Sequence, residues 1–153
     1  MKTVHVTVDG RVLEAEEGAP LLGVIIDAGI DLPHYCYHPK LTIDGSCRLC
    51  QVKIEGMPKL QISCNTPVKD GMIVHANDDP EVARAREGVI ELLLLNHPLD
   101  CPICDKAGEC WLQNYSFRVG SRRGRTIEPR RKAGKRLDIG ERMLLDQERC
   151  ILC

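Results

Sequence analysis

The residues able to do chemistry are nine cysteines in a chain of 153, and they fall into three spaced sets. The first is Cys36, Cys47, Cys50 and Cys64, in the pattern C-x10-C-x2-C-x13-C. A 2Fe–2S cluster needs four thiolates, commonly two or three from one wrapping loop and one from a separate strand. The order here meets that need, with three in a glycine-containing loop and Cys64 at a strand end. Gly45 tolerates positive φ and so lets the loop turn backbone N–H groups toward an anionic cluster. The alternative is a structural zinc site of four cysteines. Zinc ribbons use two C-x2-C knuckles, and only Cys47/Cys50 forms one here, so the spacing favours iron–sulfur. His34 and His38 flank Cys36 and suggest a Rieske arrangement, which needs a second histidine just after Cys50. Gln51-Val52-Lys53 offers none, so both histidines are read as loop residues.

The second set is His97, Cys101, Cys104 and Cys110, four potential ligands within 14 residues. Zinc accepts one histidine and three cysteines, so ligand count alone serves zinc and iron–sulfur equally. His97 stands at a proline-broken helix end, three residues before a C-x2-C, which favours ligation over a core histidine. The third set is Cys150 and Cys153. Two thiolates complete no shell, so the chain reads as cut within a motif, with a frayed end.

An odd cysteine count argues against a closed disulfide framework, and Met1-Lys2 leads into alternating residues rather than a secretory signal. Metal binding in a reducing compartment follows. Hydrophobic residues make up 43% but aromatics only 3%, a core short of bulk that bound metal would help to cross-link. The apolar run Leu92–Leu95 is far too short to span a bilayer. Charge is uneven. Residues 118–136 hold Arg118, Arg122, Arg123, Arg125, Arg130, Arg131, Lys132, Lys135 and Arg136 against Glu128 alone, or +8, leaving −9 for the other 134 residues. Such a strap is suited to an acidic surface, its own or a partner's.

The elements that must position these groups are legible in outline. Val4, Val6 and Val8 alternate with polar residues, and Asp9-Gly10 is a hairpin turn, which sets Val6 opposite Leu13 and Val4 opposite Ala15. Pro20 opens a short buried helix ending at Gly29. Strands follow at 51–55, 59–64 and 72–75, completing a small α+β domain over 1–78. A helix over 80–95 is capped by Asp79, with Val82, Ala85, Val89 and Leu93 on one face. Beyond residue 89 it is apolar nearly all round, so that end is expected to be buried. Pro98 ends it at His97. A further short helix covers Trp111 to Phe117.

The stretch EGVIELLLLNHPLDCPICDKAGECWLQ resembles the large (G-type) iron–sulfur subunit of NADH–quinone oxidoreductase, respiratory complex I. DLPHYCYHPKLTIDGSCRLCQVKI is similar to that protein's N-terminal 2Fe–2S segment, and DQERCILC to the start of its next ferredoxin-like segment. The resemblance covers essentially the whole chain apart from the strap. It implies a β-grasp ferredoxin-type domain over 1–78, with a 2Fe–2S cluster on Cys36, Cys47, Cys50 and Cys64. It implies a small helical domain over 79–118, with a 4Fe–4S cluster on His97, Cys101, Cys104 and Cys110. A basic linker or docking strap follows over 119–149. Residues 150–153 open a further 4Fe–4S domain, to which Cys150 and Cys153 contribute ligands only in the full-length protein.

The implied function is electron relay, from a partner flavin-bearing NADH-oxidising subunit toward quinone. No flavin motif, phosphate loop or catalytic triad is evident in the chain itself. Other peripheral-arm subunits are the implied partners, and the implied location is peripheral, on the cytoplasmic side of a bacterial membrane. Related segments of NAD-linked hydrogenases and formate dehydrogenases share the ligand spacing and remain alternatives. A zinc-dependent nucleic-acid-binding module using the arginine-rich strap is a remoter one. The strap has phosphate-neutralising charge, but no aromatics interleave it to form a stacking platform.

Overall fold

The computed structural model describes residues 2–121, 123–132, 134 and 136–151. Arg122 and Lys135 of the strap, the candidate ligand Cys153 and its neighbour Leu152 lie outside the described residues, as does the expectation of a frayed end at Leu152. The chain divides into two compact units, Met1–Arg86 and Glu87–Cys153.

The first unit is a mixed five-stranded sheet under a short helix. Strands β1 (Thr3–Val8) and β2 (Arg11–Glu16) form the hairpin around Asp9-Gly10, with Val6 opposite Leu13 and Val4 opposite Ala15. Both turn residues adopt positive φ, as a two-residue turn matched to strand twist requires. Helix α1 (Leu21–Asp27) buries Leu21, Leu22 and Ile25 in the core that holds Val4, Val6 and Val8. Strands β3 (Gln51–Ile54), β4 (Gln61–Ile62) and β5 (Met72–His75) complete the order β2-β1-β5-β3-β4. β5 runs parallel to β1 and antiparallel to β3. Val52, Ile54 and Val74 join the same core, as do Cys50 and Cys64.

Helix α2 (Pro80–Leu94) begins where Asp79 Oδ1 accepts the N–H groups of Glu81 (2.7 Å) and Val82 (3.2 Å), satisfying donors with no intrahelical partner. Its fully buried positions are Val82, Arg86 and Ile90, spaced four apart. The expectation of a buried apolar end is corrected: Leu92 is 71% exposed, and Leu93 to Leu95 are only half-buried. In the second unit the strap, not another layer of core, borders Leu94 and Leu95 through Ser121, Gly124, Thr126, Glu128 and Arg130.

Helix α3 (Trp111–Val119) buries Leu112 and Tyr115. At its end a Cβ on Gly120 would lie 2.7 Å from the Ser116 carbonyl and 2.9 Å from Ile90 Cγ2, so only glycine permits that approach. The stretch read as a strap also contains a small antiparallel pair, β6 (Leu137–Asp138) with β7 (Leu144–Leu145). Among the described residues, no helix is long and apolar enough to cross a membrane.

Candidate iron–sulfur sites

In the first unit, the loop between α1 and β3 carries Cys36 and Cys47, and Cys50 ends it immediately before β3. Besides Gly29 at its start, two positions in the loop have left-handed backbone, Gly45 (φ +69°) and Arg48 (φ +57°). The second is uncommon for a side chain with a Cβ. The Gln51 amide donates to the Arg48 carbonyl at 2.9 Å and helps hold that turn. Cys64 lies in a one-turn 3-10 helix, Ser63–Asn65. That turn is tied to Cys50 by two bonds from Ser63, whose N–H and Oγ–H both donate to the Cys50 carbonyl, at 3.1 and 2.8 Å. Ser63 is fully buried and had no motif to announce it.

The fold therefore brings the four thiols of the first set together. The Cys47 N–H donates to Cys36 Sγ at 3.5 Å. Burial pushes the Cys36 thiol up, but hydrogen bonds from Cys47 and Ser46 outweigh it and hold the thiol below its ordinary value. Burial keeps Cys47 above its ordinary value, although backbone N–H groups around it favour the thiolate. Cys64 is pushed up to about 12, first by burial and then by the Cys50, Cys36 and Cys47 sulfurs. The Cys47 and Cys64 thiols thus resist ionising, which a bound cationic metal group would relieve. His34 Nδ1 pairs with the Leu32 carbonyl at 2.7 Å, and His38 Nδ1 accepts the Lys40 N–H at 3.2 Å. Both are thus engaged in local loop geometry.

In the second unit, His97, Cys101, Cys104 and Cys110 line one pocket, with Pro98, Asp100, Gln113 and Arg149. Cys101 begins a 3-10 turn, Cys101–Ile103, and Cys110 sits at the start of α3. His97 Nδ1 is buried without a hydrogen-bond partner among the described residues. Burial lowers its pKa, helped by the nearby Arg130 and Arg149 charges and opposed by Asp100 and Asp146. An imidazole with an unsatisfied buried nitrogen, lining one cavity with three cysteines, is a donor set suited to soft metal ions. Cys150 is exposed. Among the described residues, no three His, Cys, Asp or Glu side chains are close enough to hold a single metal ion.

The strap meets one acidic side chain of α2, Glu91, and one neutral side chain beyond it, Asn96. Arg125 engages Glu91 of α2 through its backbone N–H (2.7 Å to Oε1), its Nε (2.8 Å to Oε2) and its Nη2. The Arg131 N–H donates to Asn96 Oδ1 at 2.9 Å.

Comparison with known proteins agrees with this chemistry. Residues 1–79 match the family described as a 2Fe-2S iron-sulfur cluster binding domain. Residues 86–125 match the NADH-ubiquinone oxidoreductase-G iron-sulfur binding region, a 4Fe–4S family. The chain is 50% identical over 151 residues to the mitochondrial NADH-ubiquinone oxidoreductase 78 kDa subunit of Candida albicans, covering 98% of this chain and 21% of that one. It is 47% identical over 150 residues to the NADH-ubiquinone oxidoreductase 75 kDa subunit of Reclinomonas americana, covering 98% and 21%. The chain thus spans about a fifth of the length of the curated relatives it matches. Among solved structures it resembles an NAD+-reducing NiFe-hydrogenase in the H2-reduced state. The TM-score there is 0.78 at 31% identity, covering 98% of this chain and 62% of that one. The chain belongs to the 2Fe–2S iron–sulfur cluster binding domain family and, after that domain, matches the NADH-ubiquinone oxidoreductase-G iron–sulfur binding region.

Proposed function

We propose that the chain is an electron-relay segment of an NADH–quinone oxidoreductase. In this reading Cys36, Cys47, Cys50 and Cys64 hold the 2Fe–2S cluster, and His97, Cys101, Cys104 and Cys110 hold the 4Fe–4S cluster. The carrying observation is the His97 pocket, where an imidazole with an orphaned buried nitrogen lines the same cavity as three cysteines. Bound clusters supply one-electron redox chemistry, which no protein side chain here offers by itself.

The chain's own residues supply ligands, burial and N–H groups directed at sulfur, the protein's means of setting a potential. Ser63 fixes the Cys64 turn on Cys50. His97 lies three residues beyond the end of α2, and Pro98 keeps its backbone out of helical geometry. A flavin-bearing partner subunit oxidises NADH and delivers electrons, which pass on toward quinone. The segment lies at the periphery, on the cytoplasmic side of a bacterial membrane, and meets the membrane only through the complex. Cys150 and Cys153 ligate a further 4Fe–4S cluster in a longer chain.

A hydrogenase subunit is the second reading, favoured by the structural likeness to the NAD+-reducing hydrogenase. The higher identity to the oxidoreductase subunits supports the first. Metal analysis of anaerobically prepared protein tests the ligand sets. About six iron atoms and matching acid-labile sulfide are expected for one cluster of each type. Cys64→Ser should remove the 2Fe–2S electron paramagnetic resonance signal alone, Cys101→Ser should perturb the 4Fe–4S signal alone, and Cys150→Ser should leave both. A colourless zinc protein, or loss of iron on Cys150→Ser, overturns the assignment. Co-purification with a flavoprotein that reduces quinone, rather than with a hydrogenase, decides between the two parents.

A further inference from the structure

Besides Asp100, the His97 pocket is lined by one cationic side chain that the ligand set does not use. Arg149 lines it together with His97, Cys101, Cys104 and Cys110. Its guanidinium is held from two sides, by Asp100 (Nη2 to Oδ2, 3.4 Å) and by Asp146 (Nε to Oδ2, 3.3 Å). All three side chains are about three-quarters buried, at 25%, 22% and 26% exposure. Asp146 is itself fixed: its Oδ1 accepts the N–H groups of Glu148 and Arg149, each at 3.2 Å, and its carbonyl accepts the Cys150 N–H at 3.1 Å. Residues 146–150 therefore form a capped turn that presents Arg149 to the pocket.

An ion pair that pins the turn to the pocket rim would account for the two aspartates. It does not account for where the charge lies. The guanidinium lines the same cavity as Cys104 and His97, and its charge bears on both. A partly desolvated charge is screened far less than a surface one. Reduction of a site ligated by thiolates adds one negative charge, and a nearby fixed cation stabilises that added charge.

We propose that Arg149 is a tuning residue of the His97/Cys101/Cys104/Cys110 site, its clamped guanidinium stabilising the reduced state and raising the reduction potential. The inference rests on the ligand assignment proposed above. One electron enters and no bond forms or breaks. Arg149 neither gives nor takes a proton, since guanidinium stays charged throughout. Asp100 and Asp146 orient the fork and moderate its field. Because Arg149 directly precedes Cys150, the turn that opens the next C-x2-C also delivers this charge.

The test is a redox titration, followed by electron paramagnetic resonance, of the anaerobically prepared full chain, wild type beside Arg149→Gln and Arg149→Lys. The 2Fe–2S signal serves as internal reference. Arg149→Gln is expected to keep the wild-type iron content, while its reduced-to-oxidised 4Fe–4S ratio at fixed poise falls about tenfold, or about 59 mV for one electron. The 2Fe–2S ratio should not move, and Arg149→Lys should stay near wild type. An assembled Arg149→Gln protein with an unchanged ratio overturns the proposal, as does a lysine variant that falls as far as the glutamine one. Should Arg149→Gln fail to assemble, Arg149→Lys decides. A wild-type ratio supports the charge, and a fall or a second failure leaves only a scaffold role. A wild type lacking the second cluster overturns the ligand assignment and this proposal with it, and the wild-type iron count alone identifies that outcome.

Discussion

Arg86, in the second turn of α2, donates from Nη2 to the main-chain carbonyl of Gln51 at 2.8 Å, and Gln51 directly follows Cys50. The same nitrogen reaches the Ala76 carbonyl at 2.6 Å, and Nη1 reaches Asn77 Oδ1 at 2.9 Å. Arg86 is only 4% exposed, so three acceptors from two segments converge on one buried fork. Arg86→Met should cost roughly 2–4 kcal/mol, because the acceptors lose a charged donor in a place water does not reach. Arg86→Lys should recover only part, lacking the planar fork. Denaturant unfolding measures both, and a loss below about 0.5 kcal/mol for the methionine variant would refute the anchoring role.

Gly45 combines φ +69° with a position where a Cβ would stand 3.0 Å from Ile62 Cδ1. Gly45→Ala should destabilise the first unit by about 1 kcal/mol or more, chiefly through the backbone. It should also lower 2Fe–2S occupancy. Adding Ile62→Val relieves the contact but not the dihedral, so recovery should be partial. Full recovery in the double variant would show that crowding, not φ, requires the glycine.

His75 lies between two carboxylates, with Nδ1 3.2 Å from Asp78 and Nε2 3.2 Å from Glu55. Hydrogen bonding to Asp78 and then Glu55 raises its pKa. The folded state therefore favours the imidazolium. Its contribution is fully present below the unfolded value of about 6.5 and is lost as pH rises through the raised folded value. His75→Gln should reduce stability most at about pH 5.5 and least at about pH 9. Equal losses at both values would mean that the imidazole acts by packing alone.

Glu91 is the strap's anchor on α2. Arg125 holds its carboxyl below the usual carboxylate range. The Arg125 side chain is 83% exposed, so Glu91→Gln should leave global stability nearly unchanged. Its effect should be local, with tryptic cleavage within residues 118–132 accelerating several-fold. Wild-type protein in about 0.5 M salt should move toward the variant's cleavage rate. Unchanged cleavage would show that the strap is held by other contacts.

The sequence by itself determined the hairpin and its register, because Asp9-Gly10 fixes the turn and a one-residue slip would send Val4, Val6 and Val8 to the wrong face. It determined the start of α2 at the Asp79 cap, since capping acts over a few residues. Only the tertiary structure decided that Arg86, one of two arginines in a helix that reads as solvated there, is buried while Leu92 is exposed. The acceptors that make Arg86 tolerable lie 9, 10 and 35 residues away, and no local pattern records them. The same holds for Ser63 on Cys50 and for Arg149, which reaches Asp100 across 49 residues. Short-range preferences set the elements and the ligand types. The desolvated polar contacts around them exist only once distant segments meet, and there burial makes each hydrogen bond and charge count for more.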